Sequence, residues 1–391
     1  MRPEAVAAMV EVLERVPGNP SGQHRGAREA RRLLDDARDV VARHLGCRPN
    51  EVVFTSGGTE ADNLAVTGSV SGPDGVRGLP VCLATDHHAV LHPVQAAGGR
   101  TVVVGPDGVV DLDDLARVLA ETDDVGVVSV ALVNNEVGTL QPLEAIAAVV
   151  RSAAPDASLH VDAVAAAAWL DLAEACAGAD LVSISGHKVG GPKGIGALAV
   201  RHGVDLEPIL LGGSQEWELR AGTPNLAGAI ALAAALEATA AERSALVARV
   251  GALTDRLRRE LVASVPDLVV TGAIDGIDPE RVPNIVHACV PWVEREALLF
   301  LLDQAGVLAS AGSSCASGAM EPSHVLEAMG VDPHVAGGAL RFSLGWSSTE
   351  ADVDAAVRAT VDAVAQLTDR RVCGTAQAAI DRLAAAGEAS S

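Results

Sequence analysis

Seven short apolar runs punctuate the first half of the sequence: EVVFTSG (51–57), PVCLAT (80–85), TVVVGP (101–106), VGVVSVALV (125–133), LHVDAV (159–164), DLVSIS (180–185) and IGALAV (195–200). Most are near-continuous rather than alternating, the mark of strands covered on both faces. Helical patterns lie around and between them. GAREARRLLDDARDVVARHLG (26–46) puts Leu33, Leu34, Ala37, Val41 and Leu45 on one face, and DLDDLARVLAE (111–121) and PLEAIAAVVRSAA (142–154) also read as helices. The fold class predicted is α/β, a large domain with a mostly parallel seven-stranded sheet between layers of helices. In such a sheet ligands gather at the carboxyl ends of the strands.

The rest of the chain reads differently. From Asn225 to about Val265 it is helical and alanine-rich, and beyond that strand-like PNIVHACV (283–290) and LRFSLGW (340–346) mix with helices at 293–306 and 349–371. The division predicted is a large α/β domain over 14–252, with 1–13 and 253–391 forming a smaller α+β domain. The 391 residues suffice for such a pair. With 51 acidic against 29 basic side chains, a net charge of −22, a broad nucleic-acid-binding face is excluded. No uninterrupted apolar run is long enough to span a bilayer. Six cysteines without CxxC spacing argue against a zinc site or a disulfide framework and fit a reducing cytoplasm, as does an N-terminus without a secretory pattern.

Polar residues cluster where the strands are expected to end. TSGGTEADNLAV (55–66) follows a strand and opens a helix, so Gly58 and Thr59 could present backbone N–H groups and a hydroxyl to a phosphate; it is neither a P-loop nor a dinucleotide fingerprint. SISGHKVGGPKGIG (183–196) sets His187 and Lys188 at the end of an apolar strand among glycines. That lysine could be a solvated loop residue, an anion ligand or the amine of a covalent cofactor. His88 and His92 have metal-ligand spacing but no evident third ligand, and a flat imidazole over a cofactor ring is one use of His87. Asp162, within an apolar strand, needs a partner: a protonated pyridine nitrogen, a helix N-terminus or an arginine. Arg341 in LRFSLGW could grip a carboxylate in bidentate fashion or pair with a neighbouring acid. Cys315, in LASAGSSCASGAMEPSHV (308–325), is an inert buried thiol by default, or an accessible one if this Gly/Ser/Ala-rich segment moves.

Taken in order, the phosphate turn, His87, Asn135, Asp162 in HVDA (160–163), SGHKVGGPKGIGAL, RAGTPN (220–225), the SSC segment with EPSHVL, and RFSLG (341–345) resemble the cysteine desulfurases, pyridoxal-phosphate enzymes of the class V aminotransferase group with fold type I. The resemblance runs from GNPSG (18–22) to RFSLG. It implies that Lys188 carries pyridoxal 5'-phosphate covalently, its pKa lowered by burial. It further implies that Gly58, Thr59, Ser185 and His187 contact the phosphate, that Asp162 keeps the ring nitrogen protonated, and that His87 stacks on the ring and serves in acid–base steps. Asn135 would lie near the phenolic oxygen, Thr223 would reach the phosphate of a partner subunit in a homodimer, and Asn284 and Arg341 would hold the substrate carboxylate. Cys315 matches the nucleophile that takes sulfur from L-cysteine as a persulfide, leaving L-alanine, and passes it to a sulfur-acceptor protein such as an iron–sulfur scaffold or sulfur carrier. Its distance from Glu321 is that of the subgroup with the longer cysteine loop.

One position departs from the pattern. Where the family reads HVDA-x-Q, this chain has HVDAVA, and Ala165 replaces a glutamine donor to the phenolic oxygen, at a cost of about 1 kcal/mol for a neutral hydrogen bond. Two other readings share the motifs. A related C–S or C–Se lyase would use Lys188 and Asp162 without an obligatory persulfide, and a scaffold protein would keep the fold without the chemistry.

Overall fold

The computed structural model describes residues 1–72, 75–76, 78–272, 280–312 and 323–388, with side chains as far as Asp369. All seven apolar runs form strands of one sheet: β1 (Val52–Thr55), β2 (Leu79–Leu83), β3 (Arg100–Val102), β4 (Val125–Ala131), β5 (Ser158–Asp162), β6 (Leu181–Ser185) and β7 (Gly196–Val200). Their order is β1-β7-β6-β5-β4-β2-β3. Five neighbours from β6 to β3 are parallel, and β7 alone runs against both β1 and β6. Strands β1, β6 and β7 are buried along their whole length, as their unbroken apolar sequences require.

Helices cover this sheet because their apolar stripes have nowhere else to go. The helix α1 spans Pro3–Arg15, and α2 (Arg25–Leu45) buries Ala30, Leu34, Ala37, Val41 and Leu45 and ends on Gly46 in the left-handed region. In α3 (Gly58–Val70), Ala61, Leu64 and Ala65 pack with Val53, Leu181 and Leu198 of the sheet. The others of this unit are α4 (His88–Ala96), α5 (Leu112–Glu121) and α6 (Leu143–Ala153). Asp111 caps α5, accepting from the N–H groups of Asp113 and Asp114.

A buried ion pair locks the outer edge of the sheet. Arg38 of α2 meets Glu216 through two hydrogen bonds of 2.7 Å, while Glu216 also accepts from the Phe54 N–H at 2.9 Å. Glu216, Trp217 and Glu218 all have positive φ (44°, 60° and 68°). A conformation this costly for three side chains in a row persists because that pair fixes its first member.

The chain divides into two compact units. The first holds 1–135, 139–247 and 276–282, and the second holds 136–138, 248–275 and 283–391. Residues 1–13, expected with the smaller domain, fall in the first unit: the Arg2 N–H donates to Gly190 O at 2.7 Å, and the Arg2 guanidinium pairs with Glu242 at 2.9 Å. In the second unit β8 (Val269–Val270), β9 (Ile285–Cys289) and β10 (Ala339–Ser343) form an antiparallel sheet. Its core joins Val286, Leu340 and Phe342 to Leu257 and Leu261 of the helix α7 (Leu226–Ser264), to Leu298 and Leu302 of α8 (Arg295–Gln304), and to Val353 of the last helix (Glu350–Glu388).

Candidate active site

The reversed strand β7 decides where the chemistry collects. Because β1 and β6 are both antiparallel to β7, they run parallel to each other, and the ends of β1, β6, β5, β4 and β2 open at one edge. The register is close: Gly196 is the Cα partner of both Thr55 and Ser185, Ser183 pairs with Asp162, and Asp162 with Ala131. The turn 55–59, the SGHK loop, Asp162 and Asn134–Asn135 therefore leave the sheet side by side.

At the β1 end, Gly58 is buried and a Cβ built on it would come within 2.7 Å of Val164 Cγ2, so any side chain here would have to push that valine of the loop after β5 aside. The turn opens a helix of 13 residues, whose first N–H groups have no acceptor within the helix and suit an anion. Thr59 is exposed beside them. At the β6 end, Ser185 is buried and its hydroxyl lies 2.9 Å from His187 Nδ1. Burial, then the charges of Lys188 and Lys193, lowers the His187 pKa.

Lys188 closes a 3-10 turn, Gly186–Lys188, and is exposed, contrary to the burial expected from the apolar run. The buried strand stops at Ser185, and the turn carries residues 187 and 188 out of the sheet. The loop itself is held firmly: Gly191 N–H donates to Gly186 O at 2.8 Å, Thr239 Oγ1 to Val189 O at 3.1 Å, and the Arg2 N–H to Gly190 O. Sequence reading missed Thr239 and Arg2, whose roles are set by packing distant in the chain.

Three carboxylates are buried at this edge. Asp162 is raised to about 6 by burial, opposed by the Val164 N–H and the charge of Lys188. Asp86, taking N–H bonds from Leu83 and Ala131, is raised to about 8 by burial and also by Asp162. Asp62 of α3 is raised by burial and then by Asp162, while Ser183 opposes. Between β4 and β6, His160 is bracketed by Ser129 Oγ and Ser183 Oγ at 2.8 Å each, and burial lowers it to about 3. A cationic partner would relieve this concentration of acid, and Asp162 is the member that already feels the lysine.

His87 is half-buried and caps α4, its Nδ1 accepting from the Ala89 N–H at 3.1 Å, so the proton of a neutral ring sits on Nε2. The rings of His88 and His92 stack at 4.7 Å, and among the described residues no group of three or more His, Cys, Asp or Glu could hold a metal ion. Asn134 is buried and donates to Thr85 O, while Asn135 is half-buried. Ala165 lies in the turn after β5 and supplies no side-chain donor. Thr223 is exposed. Nearby, Arg220 pairs with Glu60 at 2.9 Å, an ion pair at the start of α3 that the motifs do not announce. Lys188 and Lys193 are also the only lysines in the sequence.

The second unit holds the remaining residues. Arg341 of β10 is cross-strand partner to His287, and its Nη1 donates to Gly312 O at 3.0 Å. Burial lowers its pKa while Glu136 raises it, so the neighbouring acid considered for this arginine is present. Asn284 Oδ1 is buried with no hydrogen-bond partner among the described residues, a state that favours a ligand. Cys315 and Glu321 lie outside the described residues.

The first unit fits pyridoxal phosphate on its own terms: a helix start for the phosphate, an exposed amine on a braced loop, and a buried carboxylate short of a cation.

Known proteins resemble this chain along most of its length. Residues 1–356 match the aminotransferase class-V family. An IscS-like cysteine desulfurase of Mycobacterium tuberculosis (strain ATCC 25618 / H37Rv) is 40% identical over 375 residues, 94% of each chain. The cysteine desulfurase IscS of Dictyoglomus turgidum (strain DSM 6724 / Z-1310) is 36% identical over 360 residues, 90% of this chain and 89% of that one. A solved NifS-like protein superposes with a TM-score of 0.85 at 30% identity, covering 94% of this chain and 97% of its own. The fold and the likeness along nearly the whole chain agree, and the chain belongs to the class-V aminotransferases, a family of pyridoxal-phosphate enzymes, and within it to the cysteine desulfurases.

Proposed function

We propose that the protein converts L-cysteine to L-alanine and loads the released sulfur on Cys315 as a persulfide for transfer to an acceptor protein. The observation that carries this reading is the meeting of the Lys188 loop, Asp162 and the turn 55–59 at one sheet edge. When bound, pyridoxal phosphate supplies an aldehyde for amino groups and a ring that accepts the electron pair set free at the substrate Cα.

The chain's own residues do the rest. Gly58, Thr59, Ser185 and His187 hold the phosphate, Asn135 stands by the phenolic oxygen, and the Asp162 carboxylate holds the proton of the ring nitrogen. Lys188 would hold the cofactor and, once free, take the proton from the substrate Cα and later return one there. His87 would face the ring and pass protons through Nε2. Arg341 and Asn284 orient the substrate by its carboxylate. The Cys315 thiolate attacks the substrate sulfur: an S–S bond forms, the Cβ–S bond breaks, and its electron pair stays with Cβ, which takes a proton to become the methyl group of alanine.

Other thiols are poorly suited to that step. Burial pushes Cys47 and Cys289 up to about 11 and Cys176 to about 12, and raises Cys82, so each stays protonated. These four free cysteines also favour a reducing, cytoplasmic setting, and no helix of the described residues is long and apolar enough to cross a membrane. A homodimer with Thr223 reaching the partner's phosphate is supported by apolar exposure on the same stretch, where Leu211 is 84% and Trp217 54% exposed. The acceptor would be an iron–sulfur scaffold or a sulfur carrier.

Mass spectrometry after incubation with L-cysteine should find one added sulfur on the peptide containing Cys315, with stoichiometric labelled alanine. A Cys315→Ala variant should lose persulfide and transfer. If it releases sulfide at the wild-type rate, the C–S lyase reading replaces this one. Ala165→Gln should lower the pKa of the lysine–cofactor linkage, read from visible absorbance against pH, and speed turnover by about fivefold, the worth of one neutral hydrogen bond.

A further inference from the structure

Glu136 follows Asn135 in the chain and belongs to the second unit, where it is 2% exposed. Ser323 Oγ donates to its Oε2 at 2.5 Å. Gly312, with φ of 101°, packs against the same oxygen; a Cβ built there would come within 2.6 Å of Glu136 Oε2 and 3.4 Å of His287 Nε2. The Gly312 carbonyl is the one that Arg341 Nη1 holds, and the main chains of Ser310 and Arg341 exchange hydrogen bonds of 3.1 and 2.6 Å. Burial raises the Glu136 pKa, and Ser323, then His324, then Arg341 oppose that rise.

Gly312 lies three residues before Cys315 in the sequence, and Ser323 eight after it. We propose that Glu136 is a positioning residue with two effects: its carboxylate holds Ser323 by a hydrogen bond while packing against Gly312, and its charge competes with the substrate carboxylate for Arg341. The second effect rests on the desulfurase reading, whereas the first does not. Ser323 also caps the helix α9 (His324–Ala328), accepting from the N–H groups of Val325 and Leu326, so a change felt at Glu136 is passed directly to the start of that helix.

The test uses the full-length, cofactor-loaded protein and the variants Glu136→Ala and Glu136→Gln. Hydrogen exchange without substrate should accelerate about tenfold in peptides covering 305–312 and 323–331 for Glu136→Ala, and less for Glu136→Gln, whose amide oxygen still accepts from Ser323. With L-cysteine, both variants should show KM and kcat moving down together: KM by about threefold, because Arg341 loses a competing charge, and persulfide formation by about tenfold. Glu136→Asp should recover the wild-type KM in part. A merely structural role would raise KM or leave it alone. Unchanged exchange in both variants overturns the brace, and an unchanged or raised KM in Glu136→Gln overturns the competition. Should the wild type make no alanine at all, the desulfurase reading fails and the competition with it, while the exchange measurement still decides the brace.

Discussion

Replacing Lys188 by alanine is expected to abolish alanine formation from L-cysteine, by about 10⁴-fold or more, because the group that holds the cofactor and moves the proton disappears in one change. The chemistry of this chain makes the result easy to read. Lys193 is the only other lysine, so apart from the chain's amino terminus no other amine competes for an aldehyde. Borohydride reduction of the loaded wild type followed by peptide mass spectrometry should place the modification on Lys188. Label on Lys193, or on neither, would reject the assignment. The loop's backbone is held by the N–H groups of Gly191 and Arg2 and the hydroxyl of Thr239, which the substitution leaves in place, so the variant should still fold.

Asp162→Asn is expected to lower turnover by roughly 10²- to 10³-fold, the loss that follows when one member of a buried charge pair, here carboxylate and protonated ring nitrogen, is removed. The same change has a signature in the cofactor-free protein. Asp162 is raised from 3.8 to about 6 in the folded chain, so between those values the native state holds more protons than the unfolded one. Stability therefore falls as pH rises through that window and levels off above it. Asp86, raised to about 8, extends a slope of the same sign. Asparagine at 162 removes both its own share and its repulsion of Asp62 and Asp86, so the fall in melting temperature between about pH 4 and 8 should shrink. Equal slopes in wild type and variant would show that Asp162 is not the strained acid.

Much of this architecture is visible in the sequence because burial on both faces leaves an unmistakable trace. The strands form within a few residues of the seven apolar runs, and the helices on their amphipathic stretches. What no run of letters displays is direction. IGALAV reads like its neighbours, yet as β7 it is reversed, since only seven residues, 189–195, separate it from the 3-10 turn after β6, too few for the crossover a parallel neighbour needs. Pairings across long separations are equally silent. Glu136 sits in NNEVGTLQP as one more polar loop residue, and its partner Ser323 is 187 positions away. Arg220 and Glu60, 160 positions apart, are the same kind of case. The apolar letters around SGHK suggested a sunken lysine, whereas the turn lifts it into the open, because hydrophobicity reports where a strand runs and not where it stops.

The position of β1 at the far margin of the sheet has a consequence for biosynthesis. Its sole neighbour there, β7, leaves the ribosome more than a hundred residues later, as the pairing of Val52 with Ala199 records. At roughly 5–20 residues per second, the nascent chain spends many seconds with an unpaired N-terminal segment and no docking place for the vitamin. The turn that closes β1 therefore gains its place in the sheet only once residue 200 has emerged.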